Sequence, residues 1–254
     1  MNNKSFYIFS QLVKQNLKLK YRRTFLGYIW SLLNPLLTIF IISIVFSSLL
    51  KIDFYTYVCS AFAGLIPWFL INQVAFNSST VFISNEALIK KIYLPKHLFP
   101  LGIASSLLID SILSFIALYI FFLIFFNLEF SYLSIFFLAI SYLILYFFII
   151  GISFFISIIS VFFRDLQWII PVMFQALFFL TPILYSKDLT SGLLLTIVEI
   201  NPLTPLIELF KIPILFNVAP SIDHLLISLL ISLFFFVFGL IFFIWLEKYI
   251  IYRL

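Results

Sequence analysis

The sequence predicts an all-α integral membrane protein with six transmembrane helices, and three observations carry this. Hydrophobic residues make up 64% of the 254-residue chain and charged residues only 10%, a balance that excludes an ordinary water-soluble globule. The charges divide the chain into long uncharged runs, several of them long enough to cross about 30 Å of hydrocarbon. Lysine and arginine then segregate to alternate connections, as they do in multi-spanning proteins.

Taken in order, residues 6–22 read as an amphipathic helix at the headgroup level. Phe9, Leu12, Val13 and Leu17 form its apolar face, and Gln11, Lys14, Gln15, Lys18 and Arg22 its polar face. The apolar stretch Phe6–Phe9 is too short for a secretory signal, so no cleaved leader is expected. Spans follow near 29–50, 57–83, 99–126, 132–162, 166–186 and 224–246, the third interrupted only by Asp110.

One side of these spans carries Lys4, Lys14, Lys18, Lys20, Arg22, Arg23, Lys90, Lys91, Lys96, Arg164, Lys248 and Arg253. The other carries only Lys51, Lys187 and Lys211, with the acids Asp53, Glu129, Asp188, Glu199, Glu208 and Asp223. The basic side is expected to be cytoplasmic, with both termini on it.

Between the second and third spans, Ser84 or Asn85 can cap a short helix that Pro95 ends by forcing Leu94 out of the helical region. Two readings stand: a loop that is polar because all loops are, or a docking element for a soluble partner that covers Leu88, Ile89, Ile92 and Tyr93. Residues 188–222 are apolar but broken by Pro202, Pro205, Pro213 and Pro220 into pieces too short to cross. They suit a re-entrant segment, or else two helices lying on the surface.

Catalytic chemistry is scarce. The two histidines, His97 and His224, fall on opposite sides and cannot share a metal, and Cys59 alone makes neither a disulfide nor a thiolate metal site. No G-x-x-x-x-G-K-[ST] phosphate loop occurs, so ATP hydrolysis by that route needs another chain. Asp110 lies about 16 Å into its helix at the standard rise per residue, with Ser105, Ser106, Ser111 and Ser114 as hydrogen-bonding neighbours. Two readings stand, a proton relay or ion ligand and an interhelical hydrogen bond, and the second is the expectation because no second buried charge accompanies it. Asp165 reads as the cap of the helix that starts at Leu166, while it or Arg164 can pair with another cytoplasmic element. Lys20, Tyr21, Arg22 and Arg23 precede the first span, where cations attract anionic lipid or hold a lipid phosphate.

The segment YRRTFLGYIWSLLNPLL at 21–37 resembles the membrane subunits of polysaccharide exporters of the ABC-2 class, the O-antigen, teichoic-acid and capsule permeases. IPWF at 66–69, LIKKIYLPKHLFPL at 88–101, VFFRDL at 161–166, TPILY at 181–185 and NPLTPLIELFK at 201–211 continue the resemblance in order. It implies one transmembrane domain over 1–254, in the cytoplasmic membrane: an amphipathic gate helix, a coupling helix at 85–94, re-entrant helices at 188–222 and six spans. The implied assembly is a homodimer among membrane lipids with two separate ATPase chains, which supply ATP and magnesium. This chain is then no enzyme and binds no cofactor, metal or nucleic acid.

Residues implied to contact the ATPase are Glu86, Lys90, Lys91, Tyr93, Arg164 and Asp165. Lys20, Tyr21, Arg22 and Arg23 would sit at a gate for a lipid-linked glycan with its pyrophosphate. Tyr28, Trp30, Trp68, Phe69, Phe174, Phe178 and Tyr185 would line a conduit in which flat rings let sugars slide, although the same rings suit packing and interfacial belts. The wording favours an O-antigen substrate. A capsule or teichoic-acid permease, a small-lipid or drug permease, and a membrane-embedded transferase are the alternatives.

Overall fold

The computed structural model describes residues 3–20, 27–92, 94–126 and 131–253, and among these the regular structure is helical with no strands. Helix α1 (Asn3–Lys20) is followed by a 3-10 turn (Gly27–Ile29), α2 (Trp30–Leu50), α3 (Phe54–Ser84), α4 (Glu86–Lys91) and α5 (Leu98–Phe125). Then come α6 (Tyr132–Phe162), α7 (Leu166–Leu180), α8 (Gly192–Ile200), α9 (Leu203–Phe216), α10 (Ile222–Leu246) and the terminal turn α11 (Ile250–Arg253). The helical stretches holding α2, α3, α5, α6 and α10 are long and apolar enough to cross a membrane.

Helix α3 is the most enclosed of the five and packs against α2, α5, α6, α7 and α9. Its start is fixed by Asp53, whose carboxylate accepts from the Thr56 backbone N–H at 3.1 Å. Helices α6 and α10 run parallel, in register from Phe147 against Phe236 to Phe154 against Phe243. Gly151 and Gly239 set their spacing. A Cβ on either would collide with the backbone of the facing helix, at Phe235 and Gly151 respectively.

The expected span 166–186 is a helix for only 15 residues, about 22 Å at the standard rise. Pro182 explains the early stop: it drives Thr181 into extended geometry, φ −110° and ψ 137°. The freed helix end is satisfied by Asn201, whose side-chain amide donates to the Leu180 carbonyl at 3.1 Å and to Thr181 Oγ1 at 2.9 Å. Residues 181–186 then continue as irregular chain as far as Tyr57, whose hydroxyl donates to the Leu184 carbonyl at 2.7 Å.

Helices α8 and α9 meet at Asn201 with a bend of 88°, which is the geometry of a broken span or a re-entrant segment. The junction touches the end of α7, while the end of α9 meets the start of α6, where Ser134 Oγ donates to the Pro213 carbonyl at 2.8 Å. The segment therefore enters the bundle through α8 and leaves through α9 toward the end at which α6 begins.

Helix α1 has the expected polar and apolar faces but does not lie apart from the bundle. Leu12 packs against Gly102 near the start of α5, and Lys20 reaches Asp110 farther along it, so α1 runs beside α5. Two expected caps are also revised. Ser84 Oγ and the Asn85 amide turn back to the carbonyls of Thr80 and Val81 and finish α3 instead of opening α4. The Asp165 side chain makes no cap bond, and its backbone carbonyl accepts from Trp168 and Ile169. The coupling segment expected over 85–94 is helical only from Glu86 to Lys91, with Ile92 extended.

Candidate functional site

Two regions gather the candidate residues. The first is an open cavity of about 610 Å³ bordered by the end of α1 and by α2, α3 and α5. Trp30, Asn34 and Thr38 enter from α2, Phe69 and Gln73 from α3, and Asp110 from α5. These positions recur at three- and four-residue spacing because each helix turns one stripe toward the cavity.

Lys20 closes one wall. Its ammonium donates to Asp110 Oδ2 at 2.6 Å and to Gln73 Oε1 at 2.9 Å, joining α1, α3 and α5. Asp110 is only 5% exposed, and its second oxygen, Oδ1, is buried without a hydrogen-bond partner. The serine neighbours do not satisfy it: Ser106 Oγ donates to the Ile103 carbonyl, Ser114 Oγ to the Ser31 carbonyl, and Ser105 and Ser111 pair with Tyr146 and Tyr142. The structural role expected for Asp110 is thus carried by an ion pair with Lys20 and not by a hydrogen bond to these serines.

Of the expected gate residues, Lys20 lies here, while Tyr21, Arg22 and Arg23 fall outside the described residues. Of the expected conduit rings, Trp30 and Phe69 line the cavity. Trp68 does not: it is 3% exposed and packs against Phe174 and Phe178, with ring centroids 5.9 and 5.6 Å away, so these three rings join α3 to α7 within this chain. Tyr28 sits half-exposed in the turn before α2, where its carbonyl accepts from Ser31 Oγ. Tyr185 belongs to a second cavity of about 480 Å³ toward the other end, together with Lys211, Glu208 and His224.

Sequence reasoning did not single out Gln73, Asn34 or Lys211. Lys211 is buried and donates to the Pro182 carbonyl at 2.6 Å and the Tyr185 carbonyl at 3.5 Å, pinning the irregular chain after α7. His224 Nε2 and Glu208 Oε2, 2.7 Å apart, tie α10 to α9 beside it. A lysine next to several prolines was the available signal, since interrupted helices leave carbonyls that need a donor.

The second region is the end of the bundle formed by α4 and the turn between α6 and α7. Ile89 is buried against the core, while Lys90, Lys91 and Ile92 are exposed, as are Arg164 and Asp165. Lys90 Nζ donates to Glu86 Oε1 at 2.6 Å. That hydrogen bond and the Lys90 charge, helped by Arg164, hold the Glu86 carboxyl below the usual carboxylate range. Lys96 Nζ donates to the Glu247 carbonyl at 3.0 Å, fastening the segment after α4 to the end of α10. Tyr93 lies outside the described residues.

No group of three or more metal-ligating side chains occurs among the described residues. Residues 7–215 match the ABC-2 type transporter family. The chain is similar to two O-antigen export system permease proteins RfbA of Klebsiella pneumoniae, at 30% and 31% identity over 206 residues, which cover 79% of this chain and 78% of each relative. An O-antigen export system permease protein RfbA of Myxococcus xanthus is 24% identical over 174 residues, covering 68% of this chain and 66% of that protein. This chain therefore belongs to the ABC-2 type transporter family, as a multi-pass membrane permease, a transport subunit without a catalytic domain that works with an ABC ATPase.

Proposed function

We propose that the chain is the permease of an ATP-driven exporter of lipid-linked polysaccharide, with an O-antigen glycan as the cargo. The observation that carries this reading is the cavity between α2, α3 and α5, where Trp30 and Phe69 face amide, hydroxyl and carboxylate groups inside an otherwise apolar bundle. Polar groups at that depth are costly unless they serve a polar ligand or each other. The likeness to O-antigen permeases supports the choice of cargo.

The working unit is a homodimer with two ATPase subunits, which bind ATP and magnesium. The end bearing α4 faces the cytoplasm with both termini, a reading supported by its excess of lysine and arginine. Residues Glu86, Lys90, Lys91, Tyr93, Arg164 and Asp165 receive the ATPase, and its closure displaces α4 relative to the spans. Tyr21, Arg22 and Arg23 accompany Lys20 at the side where the lipid-linked glycan arrives.

Depletion of the chain in its native cells tests the cargo. Accumulation of a long lipid-linked glycan on the cytoplasmic side is the expected result. Accumulation of a small lipid alone would instead identify a small-lipid permease, and turnover of a lipid-linked substrate by the purified chain without ATP would make it a transferase.

A further inference from the structure

Helix α1 is attached to the bundle mainly on one side. Its substantial packing is against α5, through Leu12 on Gly102 and the ion pair of Lys20 with Asp110, and Lys20 also ties its end to Gln73 of α3. Because the end of α1 borders an open cavity, any movement of α1 changes access to that cavity.

The charges at this place are unequally distributed. Helices α2, α3 and α6 contain no charged residue, and α5 contains only Asp110. Against that single carboxylate stand Lys18 and Lys20 of α1 and, next in sequence, Arg22 and Arg23, whose placement lies outside the described residues. The excess of cations attracts anions. An arriving anion can reach Lys20, whose side chain is 29% exposed, while Asp110 stays enclosed behind it.

An ion pair in a place of low polarity is seldom the most stable way to join two helices, because apolar residues of similar volume do as well or better. Its advantage is that it can be exchanged, and Gln73 makes the exchange possible. Gln73 Oε1 and Asp110 Oδ2 accept from the same ammonium, so the two side chains stand side by side. When Lys20 leaves, rotation of the Gln73 amide turns its NH2 group toward the carboxylate, which then accepts from Gln73 in place of Lys20. An ionised glutamate at this position could accept from Lys20 but could not make the second bond.

We infer that Lys20, Gln73 and Asp110 form a latch that holds α1 down on α5 beside the cavity, and that a phosphate-bearing headgroup releases it by taking Lys20 from Asp110. Asp110 and Gln73 are positioning residues that act through Lys20. The inference rests on the reading that lipid-linked cargo arrives at this side of the chain. The phosphate comes from the pyrophosphate of that cargo or from an anionic membrane lipid, and the experiment separates the two.

Disulfide formation in a Cys59→Ser/Leu12→Cys/Gly102→Cys chain reports how often α1 lies on α5. The two Cβ positions are 3.4 Å apart, close to the usual disulfide spacing of about 3.5–4.5 Å. The full chain is placed in nanodiscs of phosphatidylcholine, with or without phosphatidylglycerol. Cross-linking is timed with inorganic pyrophosphate and with sodium chloride at equal ionic strength. Slowing by about fivefold or more is expected, as for an ordinary coupling between two sites. Slowing by phosphatidylglycerol alone identifies a membrane headgroup as the releasing anion, and slowing by pyrophosphate identifies the diphosphate. Lys20→Met/Asp110→Leu, which strands neither charge, should cross-link at a rate that no anion changes. Gln73→Glu should keep α1 down at concentrations that release the unsubstituted chain.

Rates unchanged by either anion on folded protein, or the same slowing in the double variant, would overturn the latch. Release of Gln73→Glu at ordinary concentrations would overturn the exchange at Gln73. If no anion releases α1 while depleted cells still accumulate a long lipid-linked glycan, the latch falls and the cargo reading stands. If an anion releases α1 while depleted cells accumulate a small lipid alone, the latch stands and the cargo reading falls.

Discussion

The Lys20 ammonium and the Asp110 carboxylate meet at 2.6 Å, although the two residues stand 90 positions apart in the chain. This contact holds the end of α1 against α5 and closes one wall of the cavity. Removing one partner strands a charge in a place of low polarity. Lys20→Met is expected to destabilise the folded chain by about 1–3 kcal/mol, less than for a fully enclosed pair because the Lys20 side chain is 29% exposed. Lys20→Met/Asp110→Leu should regain most of that loss. Thermal unfolding of both variants in nanodiscs checks the pair, and equal losses would show that the contact carries no coupling.

The glycines at 151 and 239 predict a sharper effect. Gly151→Ala places a methyl group against the Phe235 carbonyl, and Gly239→Ala places one against the Gly151 carbonyl. Neither obstacle is a side chain that can swing aside. Each substitution should cost about 1–3 kcal/mol or more and separate α6 from α10. Alanine at Gly27, which has nothing within 4 Å but a φ of +52°, supplies a contrast in which backbone conformation alone is penalised. Melting temperatures of the three variants, with cysteine cross-linking between α6 and α10, separate the two causes.

At Lys211 the test is local. Lys211→Met leaves the carbonyls of Pro182 and Tyr185 without their ammonium donor, and the irregular chain after α7 should loosen. Hydrogen exchange over residues 183–189 is expected to rise by about tenfold, the equivalent of roughly 1.4 kcal/mol, while α6 keeps its protection. Gly64→Ala should act on the same place, because its new methyl group would stand 3.0 Å from Lys211 Cε and 3.2 Å from the Ile183 carbonyl. Unchanged exchange in both variants would rule out the pinning role.

Helix α4 supplies a charge test and a pH test. Lys90→Glu/Lys91→Glu should abolish co-purification of a P-loop ATPase without lowering the melting temperature, since both side chains are exposed. The Glu86 carboxyl is held low by Lys90, so its ion pair persists above the ordinary glutamate range and is lost only as pH falls through that lowered value. ATPase binding should therefore be flat from pH 8 to about pH 5 as far as Glu86 is concerned. Loss of binding well above the ordinary glutamate range would show that a group other than Glu86 controls docking.

The spans at 29–50, 99–126, 132–162 and 224–246 were legible because an uncharged apolar run leaves a chain in lipid little choice. At 166–186 the apolar run was legible but the early end of its helix was not: Pro182 stood near the edge of the expected span, and its effect depended on Asn201 finishing α7. Caps misled for a related reason. Ser84, Asn85 and Asp165 are good capping types, yet Ser84 and Asn85 had two helix ends within reach and closed the earlier one. Asp110 was visible as an intramembrane acid, whereas Lys20 was read with the cations that attract anionic lipid or hold a lipid phosphate, and nothing in either local pattern says that α1 follows α5. Trp68 shows the limit of composition, since a tryptophan in a span suits a conduit and a packing joint equally until the facing helix is known.

The fastening of Lys96 to the Glu247 carbonyl has a mechanical consequence. It puts the chain leaving α4 and the last turn of α10 under one constraint, and the glycine contact welds α10 to α6 with no side chain to act as a bearing. The pair forms a beam whose α10 member alone is 25 residues, about 37 Å, long. Under the coupling proposed above, a displacement of α4 would reach this beam through Lys96 and tilt it as a unit. At its far end Ser134 of α6 and His224 of α10 hold α9.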